Sequence, residues 1–371
     1  MRELNSPEAI GISSERLDRV YRFLEESVQL GKLPGAAILI ARAGVPLASR
    51  CFGKMYMESN APFIQPDTIF LVASVTKPVT VAATMLLVER GKILLNAPVC
   101  SVIPEFGSRG KEQIKLWHLM THTSGLPDML PENQQLREQH APLKEFVRRI
   151  CELKLDFSPE TNIQYQSTGI AILGKIVERI EGVSLPEFLR HEIFQPLGMN
   201  DTSLGVSDLS TSRIAHVNVG EGLERLDWTW NKPYWRNFGA PWGGMFSTIG
   251  DMFRFCQMFL NGGEFDGTRV LAPATVQVMT TDQTTPMPMI PTAAKYNQAW
   301  GLGWRLQPVS SRSNFGDLTS PASYGHGGAT GTVVWVDVTR EMICILFTTQ
   351  PSVSREGLLE RCSNLVAASA V

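Results

Sequence analysis

Apolar residues first recur at helical spacing. Between Ser13 and Gly31, the residues Leu17, Val20, Tyr21, Leu24 and Val28 fall on one face; Ser13 or Ser14 stands at the N-cap, and Gly31 ends the run. The pattern then changes. Residues 35–42 are apolar almost without interruption and read as a strand. A Gly44-Val45-Pro46 turn and a second strand over 47–53 follow, so the chain opens with a helix and an antiparallel hairpin.

The middle of the chain reads as helical. An uncharged run over 79–88 lies between Ser74 and Gly91, with Pro78 confined to a first turn that tolerates it. Further helices are expected over 116–120, 143–151, 169–180, 185–193 and 247–260, the last capped by Ser247 or Thr248. Long loops at 127–142, 200–244 and 280–297 separate them, and loops of that length in a compact domain are usually functional or mobile. Strands return over 300–307, 323–330, 332–338 and 342–348, before a closing helix from about Ser354 to Ala368.

The terminal strands must pair to cover their apolar faces. The expected fold is therefore α/β in the α+β sense. One antiparallel sheet is built from the N- and C-terminal strands, terminal helices flank it, and a large, mostly helical insertion separates its halves. Residues 1–72 and 296–371 form the sheet domain and residues 73–295 the helical one; a cleft is expected between them, where the Ser74 helix begins.

Composition narrows the classes of function. Hydrophobic residues make up 43% and charged residues 19% of the 371, a balance that suits a globular protein with a large core. A net charge of −2 without a long basic run argues against nucleic acid as a partner. Apolar stretches of about ten residues are too short for a membrane span, and the Met1-Arg2-Glu3-Leu4 start lacks the apolar core of a signal peptide. The cysteines (Cys51, Cys100, Cys151, Cys256, Cys344, Cys362) form no Cys-x-x-Cys and read as reduced core residues, so a cytoplasmic location is expected. The oligomeric state is left open.

Ser74-Val75-Thr76-Lys77 is the first candidate for chemistry. Residues three apart share a helix face, so Ser74 Oγ and the Lys77 ammonium can meet. Both would stand at the positive end of the helix dipole, which disfavours a protonated lysine and favours an alkoxide-like oxygen. A lysine of lowered pKa is a competent base for a serine nucleophile. The spacing also arises by chance: a second copy, Ser108-Arg109-Gly110-Lys111, has no helix behind it and reads as surface loop. Two more stretches make the first copy a constellation. Tyr165-Gln166-Ser167 lies in a polar turn ahead of the 169–180 helix. In His326-Gly327-Gly328-Ala329, successive glycines leave room for a ligand to approach a strand backbone.

In this order the three elements resemble the penicillin-recognising serine hydrolases, which include class C β-lactamases, D-alanyl-D-alanine peptidases, D-aminopeptidases and β-lactamase-like carboxylesterases. The residues from Phe70 to Lys77, the His122-Thr123-Ser124-Gly125-Leu126-Pro127 turn and the Gly243-Gly244, Ser247-Thr248 and Asp251-Met252 pairs are similar to the same family, so the resemblance covers nearly the whole chain. It implies a β-lactamase/transpeptidase-like fold and a small-molecule ester or amide substrate; no cofactor is called for. It implies Ser74 as nucleophile, Lys77 and Tyr165 as the groups that handle protons, and Ser167, His326, Gly327 and Gly328 along the substrate. The backbone N–H of Ala329 would join that of Ser74 in an oxyanion hole. Tyrosine ordinarily titrates near ~10, so Tyr165 needs a neighbouring cation, such as Lys77, to serve as base. Attack by Ser74 would give an acyl-enzyme, released by water along a proton path through Tyr165 and Lys77.

The chain departs from the β-lactamases at one place. His326-Gly327-Gly328 stands where the family usually shows Lys-Thr-Gly or His-Thr-Gly. A hydroxyl and a permanent cation are missing there, and both would help hold a substrate carboxylate. The expectation is a carboxylesterase on small or medium acyl esters. A β-lactamase or D-amino-acid peptidase or amidase is the alternative, and a low-activity scaffold protein that keeps the fold is the second. His326 is open to two readings, a substrate contact or a structural residue bonded to the strand backbone. So is the crowd of Trp228, Trp230, Tyr234, Trp235 and Trp242: an apolar acyl pocket, or a satellite core under a long loop. The proline-rich stretch 286–291 would flank the same cleft. His118 and His122 have a zinc-like spacing without the glutamate that motif demands, so no metal is expected. The chain has no Gly-x-Ser-x-Gly elbow.

Overall fold

A computed structural model of the chain describes residues 6–207, 209–307, 315–351 and 357–371. The two ends of the chain share one antiparallel sheet. Its strands are β1 (Gly35–Arg42), β2 (Val45–Pro46) and β3 (Arg50–Gly53) from the N-terminal part. Between these and the C-terminal strands, β4 (Phe70–Leu71), just ahead of the helical middle, joins β5 (Ser203–Leu204) and β6 (Met245–Ser247) in a small sheet of order β4-β6-β5, and β7 (Glu264–Phe265) and β8 (Thr268–Arg269) form a hairpin. The C-terminal part returns β9 (Arg305–Leu306), β10 (Tyr324–Gly328), β11 (Thr332–Asp337) and β12 (Met342–Thr348) to the large sheet. Its order is β2-β1-β12-β11-β10-β9, with β3 also paired to β1. β1 and β12 pair from Ala36 opposite Thr348 to Arg42 opposite Met342.

Side chains alternate across this sheet. Ala36, Ile38 and Ile40 meet Trp335, Cys344 and Leu346 on the face covered by the Ser14–Gln29 and Leu358–Ser369 helices. Ala37, Leu39, Val334 and Ile345 face the helical part. Both faces are buried, which is why these strands read as continuous apolar runs rather than alternating ones. Trp335 lies fully buried, and its indole N–H donates to Ser363 Oγ at 3.0 Å. The Thr76–Glu89 helix is buried along nearly its whole length and packs on the Thr168–Glu181 helix. Among the described residues, no helix is long and apolar enough to cross a membrane.

Several boundaries differ from the sequence reading for local reasons. The helix expected from Ser247 begins at Ile249; Thr248 caps it by accepting from Asp251 N at 3.1 Å, and Ser247 ends β6 instead. The 185–193 helix splits into Leu185–Leu189 and a wider π-type turn at Arg190–Phe194. The 300–307 strand shrinks to β9, and the long loops hold short helices at Asn133–Glu138, Pro233–Phe238 and Thr292–Asn297. Those pieces are too short for periodicity to reveal. The expected start of the closing helix at Ser354 lies outside the described residues. The second Ser-x-x-Lys copy is a loop, but not wholly at the surface: Lys111 is buried, and its Nζ donates to Leu153 O at 2.7 Å.

Two threonines fasten the large sheet to the segment that leads into the Thr76 helix. Thr330 Oγ1 donates to Leu71 O at 2.6 Å, and Thr332 Oγ1 donates to Val72 O at 3.0 Å. Gly328 lies against the same carbonyl. A Cβ there would stand 2.3 Å from Val72 O and 2.2 Å from Thr332 Oγ1, whereas at Gly327 the nearest atom would be 3.9 Å away. Close backbone approach therefore demands glycine at 328 and leaves 327 open. Gly328→Ala is expected to lower the free energy of unfolding by about 1–3 kcal/mol, the usual cost of forcing atoms into a packed site. Gly327→Ala should change it by less than about 1 kcal/mol, as for an unstrained surface site. Urea denaturation of both variants checks this, and equal losses would contradict the packing argument.

Candidate active site

The chain turns sharply before Ser74. Ala73 has a φ of 46°, a left-handed conformation that costs a residue with a side chain of order 1–3 kcal/mol unless its surroundings enforce it. Thr76 does so: its Oγ1 donates to Ala73 O at 2.6 Å and accepts from Met245 N at 3.1 Å. A single 3-10 turn, Ala73–Val75, then feeds the Thr76–Glu89 helix. Ser74 is the half-exposed position in an otherwise buried stretch. Lys77 follows one turn on, fully buried, with Nζ 3.1 Å from Ser74 Oγ and 3.0 Å from Trp242 O.

Tyr165 reaches the same serine from another direction. Its phenol lies near enough to the Ser74 side chain for that neighbour to draw its pKa down, and Lys77 Nζ lies 4.6 Å from its ring centroid. The turn that begins at His122 holds the tyrosine's loop in place. Gln166 N donates to His122 Nδ1 at 3.2 Å, and Ser124 Oγ donates to Gln166 Oε1 at 2.6 Å. Ser167 N and Oγ both donate to Asp128 Oδ1 at 2.9 Å. Gly125, with a φ of 82°, passes so close to Phe157 that a Cβ would lie 2.0 Å from its carbonyl oxygen.

Burial moves the two proton-bearing groups in opposite directions. It pushes Lys77 down to about 7, with the Asp128 carboxylate pulling the other way. It pushes the Tyr165 phenol above its ordinary value, and the neighbouring Ser74 side chain offsets part of that rise. Removing water penalises whichever form is charged, so the pair rests as an amine near half-protonation beside a neutral phenol. The group poised to accept a proton near neutrality is Lys77, whereas the phenol is poised to keep its own.

The remaining expected residues lie around this trio. His326 is turned into the protein, 4% exposed, and its Nδ1–H donates to Gly327 O at 2.7 Å. Burial pushes its pKa down to about 3, so it carries no charge near neutrality. Ser167 is 5% exposed and engaged by Asp128. Gly327 is the exposed residue of β10. β9 pairs with Tyr324 and Gly325, and among the described residues no strand pairs with the outer edge of β10 beyond them. Among the described residues, the backbone amides of Ser74 and Ala329 donate to no other group. Ser74, Lys77 and Tyr165 thus stand together, while the side chains of Ser167 and His326 turn away into the structure.

Sequence reasoning missed Asp128, Trp300 and Arg305. Asp128 directly follows the polar turn at 122–127, and that adjacency was its available signal. Trp300 stands edge-on to His122 at 4.3 Å and near Tyr165 and His326 at 5.8 and 5.9 Å; the Arg305 guanidinium lies 5.6 Å over its ring. No pattern in the sequence announces that cluster. Met287 and Ile290 pack with Trp300, which puts the proline-rich stretch behind it. His118 and His122 face different partners: His118 bonds Lys115 N and Glu160, and His122 bonds Gln166 N. The tryptophan-rich segment divides. Trp235 and Trp242 are buried against Phe238, and Trp228 and Trp230 line a cavity.

The chain is similar to known proteins over most of its length. The Beta-lactamase family model matches residues 20–361. Penicillin-binding protein 4 of Amycolatopsis lactamdurans is 30% identical over 308 residues, covering 81% of this chain and 75% of its own length. Among solved structures, EstCE1, a hydrolase with promiscuous acyltransferase activity, superposes with a TM-score of 0.78 at 20% identity, over 95% of this chain and 98% of its own. The octameric penicillin-binding protein homologue from Pyrococcus abyssi gives a TM-score of 0.76 at 22% identity, covering 95% and 78%.

The buried lysine makes stability depend on pH. The unfolded chain holds the Lys77 proton up to the ordinary value of 10.5, whereas the folded protein releases it near 7. Between those values the unfolded state binds more protons, so stability rises with pH. The burden is full below about pH 7 and gone above about 10.5. Wild-type stability should therefore gain up to about 1.4 kcal/mol per pH unit across this window relative to Lys77→Met. Denaturant titrations at pH 6, 7, 8 and 9 check this; parallel pH curves for the two proteins would contradict it.

Proposed function

The chain belongs to the beta-lactamase family, a group of serine hydrolases, and we propose that it works through a Ser74 acyl-enzyme, as a carboxylesterase on small or medium acyl esters. The observation that carries this reading is the Ser74 hydroxyl held between a lysine amine 3.1 Å away and the Tyr165 phenol. Ser74 Oγ attacks the ester carbonyl while its proton passes to neutral Lys77 Nζ. The N–H groups of Ser74 and Ala329 meet the developing oxyanion, each such donor being worth roughly 10²–10³ in rate. Tyr165 protonates the departing alkoxide and recovers its proton from Lys77. Water then attacks the acyl-enzyme, gives a proton back through the same pair, and frees the acid and Ser74.

The ester preference rests on what stands along β10. His326 is buried and neutral, and Gly327 presents no hydroxyl to the open edge, so neither supplies a partner for a substrate carboxylate. A second reading, a peptidase or β-lactamase, is favoured by Arg305, whose charge acts on both Tyr165 and His326. A rate panel separates them. Short nitrophenyl esters should exceed a chromogenic cephalosporin and D-amino-acid amides in kcat/KM by roughly 10²–10⁴, the worth of two missing charge-assisted hydrogen bonds. Cephalosporin turnover equal to ester turnover would sink the esterase reading.

The proton path gives its own test. Lys77→Ala and Tyr165→Phe should each lower kcat by roughly 10²–10⁴ on nitrophenyl esters, as the loss of an acid–base group does. The double variant should lose little more than either single one. Wild-type kcat/KM should rise with pH through about 7, where Lys77 gives up its proton. Near wild-type rates for Tyr165→Phe on activated and unactivated esters alike would remove that residue from the mechanism.

A further inference from the structure

A cavity of about 420 Å³ lies where residues 218–230 meet Arg137 and the Gln350-Pro351 segment that follows β12. Leu223, Trp228, Trp230 and Pro351 form its apolar wall, and Asn218 and Arg137 contribute polar groups. Short steps lead from it on two sides, to the end of β10 and to the crevice beside Ser167 and Trp242. On one, Asn218 N donates to Thr349 O at 2.7 Å, Thr348 N to Gly331 O at 3.1 Å, and Gly331 N to Gly328 O at 3.0 Å, at the end of β10 just before Ala329. On the other, Arg137 belongs to the Asn133–Glu138 helix, and Asn133 lines a narrow crevice with Ser167 and Trp242. The volume falls within the range of small-molecule sites and accommodates a group the size of a phenylalkyl chain.

Arg137 is the unusual member of this wall. Its guanidinium stacks over the Trp235 ring at 4.2 Å. Among the described residues, no hydrogen bond or ion pair reaches it, and its Nε is buried without a partner. The nearby phenol of Tyr234 is engaged elsewhere, donating to Ala141 O at 2.8 Å. Burial pushes the guanidinium down to about 10, which still leaves it charged at neutrality. A fork of N–H donors partly removed from water is costly unless an acceptor answers it, and an aromatic face answers only its charge, not its N–H groups. Trp235 fixes the plane of the fork, which prepares it for a planar anion.

We propose that this cavity recognises a carboxylate carried on a short apolar or aromatic chain, with Arg137 as its partner. This deepens the esterase reading, and rests on it only for the statement that the chain leads to Ser74. It places the substrate's charge at the far end of the cleft, away from the strand where His326 and Gly327 offer none.

Binding is measured without turnover, in Ser74→Ala protein, by calorimetric titration with 4-phenylbutyrate and its neutral analogue 4-phenylbutanamide. The acid is expected to bind about tenfold or more tighter than the amide, the usual value of a charge-assisted hydrogen bond. Arg137→Gln should bring that ratio to near one while leaving amide affinity within about twofold, since the apolar wall is untouched. Arg137→Lys keeps the charge without the fork, and should keep only part of the ratio. Equal binding of acid and amide to protein with Arg137 intact, or a ratio that survives Arg137→Gln, would overturn the proposal. Turnover by wild-type protein then locates the charged end. Mono-4-nitrophenyl adipate carries its carboxylate on the acyl side and 4-acetoxybenzoate on the leaving group, and the favoured one should show a KM that rises in Arg137→Gln. Hydrolysis of neutral esters without any acid preference in binding would leave the esterase reading standing and remove this one. Arg137-dependent acid binding with no ester hydrolysis would do the reverse.

Discussion

An amine held out of water next to a serine sets the terms for the rest of the structure. The Lys77 side chain is fully buried, and a buried ammonium is among the least favourable groups a protein can contain. Among the described residues, its neighbours meet that problem without neutralising it by a direct ion pair. The Trp242 carbonyl accepts from it, the Tyr165 ring lies across it, and the Asp128 carboxylate acts on it while bonded to the Ser167 loop. A carboxylate in contact would have pulled the proton on and removed the base. An apolar pocket with no acceptor would have left the amine without orientation. The observed middle course keeps the nitrogen near half-protonation and aimed at Ser74 Oγ.

The position of that lysine depends on distant parts of the chain meeting at Val72. The carbonyls of Leu71 and Val72 accept from Thr330 and Thr332, and Gly328 comes close enough to exclude a side chain. β4 reaches β6 through Phe70 and Leu71, whose partners are Ser247 and Phe246. The serine therefore stands where the large sheet, the small sheet and the buried helix converge. Its turn is strained at Ala73 because three separately packed elements leave it no relaxed alternative.

What the sequence revealed follows the length scale of each signal. The amphipathic 14–29 helix, the apolar β1, β11 and β12 and the uncharged run behind Ser74 are long enough for periodicity to emerge. Spacing alone allowed Ser74 and Lys77 to meet, because a helix turn carries that geometry within itself. The elements that complete the site have no such local rule. β4, β5 and β6 span two or three residues each, and their pairing joins positions far apart in the chain. Asp128 matters through a bond to a loop some forty residues on. The tryptophans show the same limit: composition pointed to the segment, but which rings fill the core and which line the cavity is decided by the Pro233–Phe238 helix between them.

The pairing of β1 with β12 also has a consequence for how the molecule comes into being. The first long strand lies beside the last one, about 300 residues later in the chain, and closing so large a loop is slow because its entropy is lost before the contacts that reward it form. During synthesis the face of β1 that carries Ala37, Leu39 and Ala41 waits uncovered while the helical middle emerges. The Thr76–Glu89 helix, equally apolar, waits with it, since part of its cover arrives with the returning sheet. The bonds from Thr330 and Thr332 to the segment before Ser74 likewise form only once the C-terminal strands have been made. Until then the chain exposes apolar surface of the kind that makes incompletely folded chains prone to aggregate.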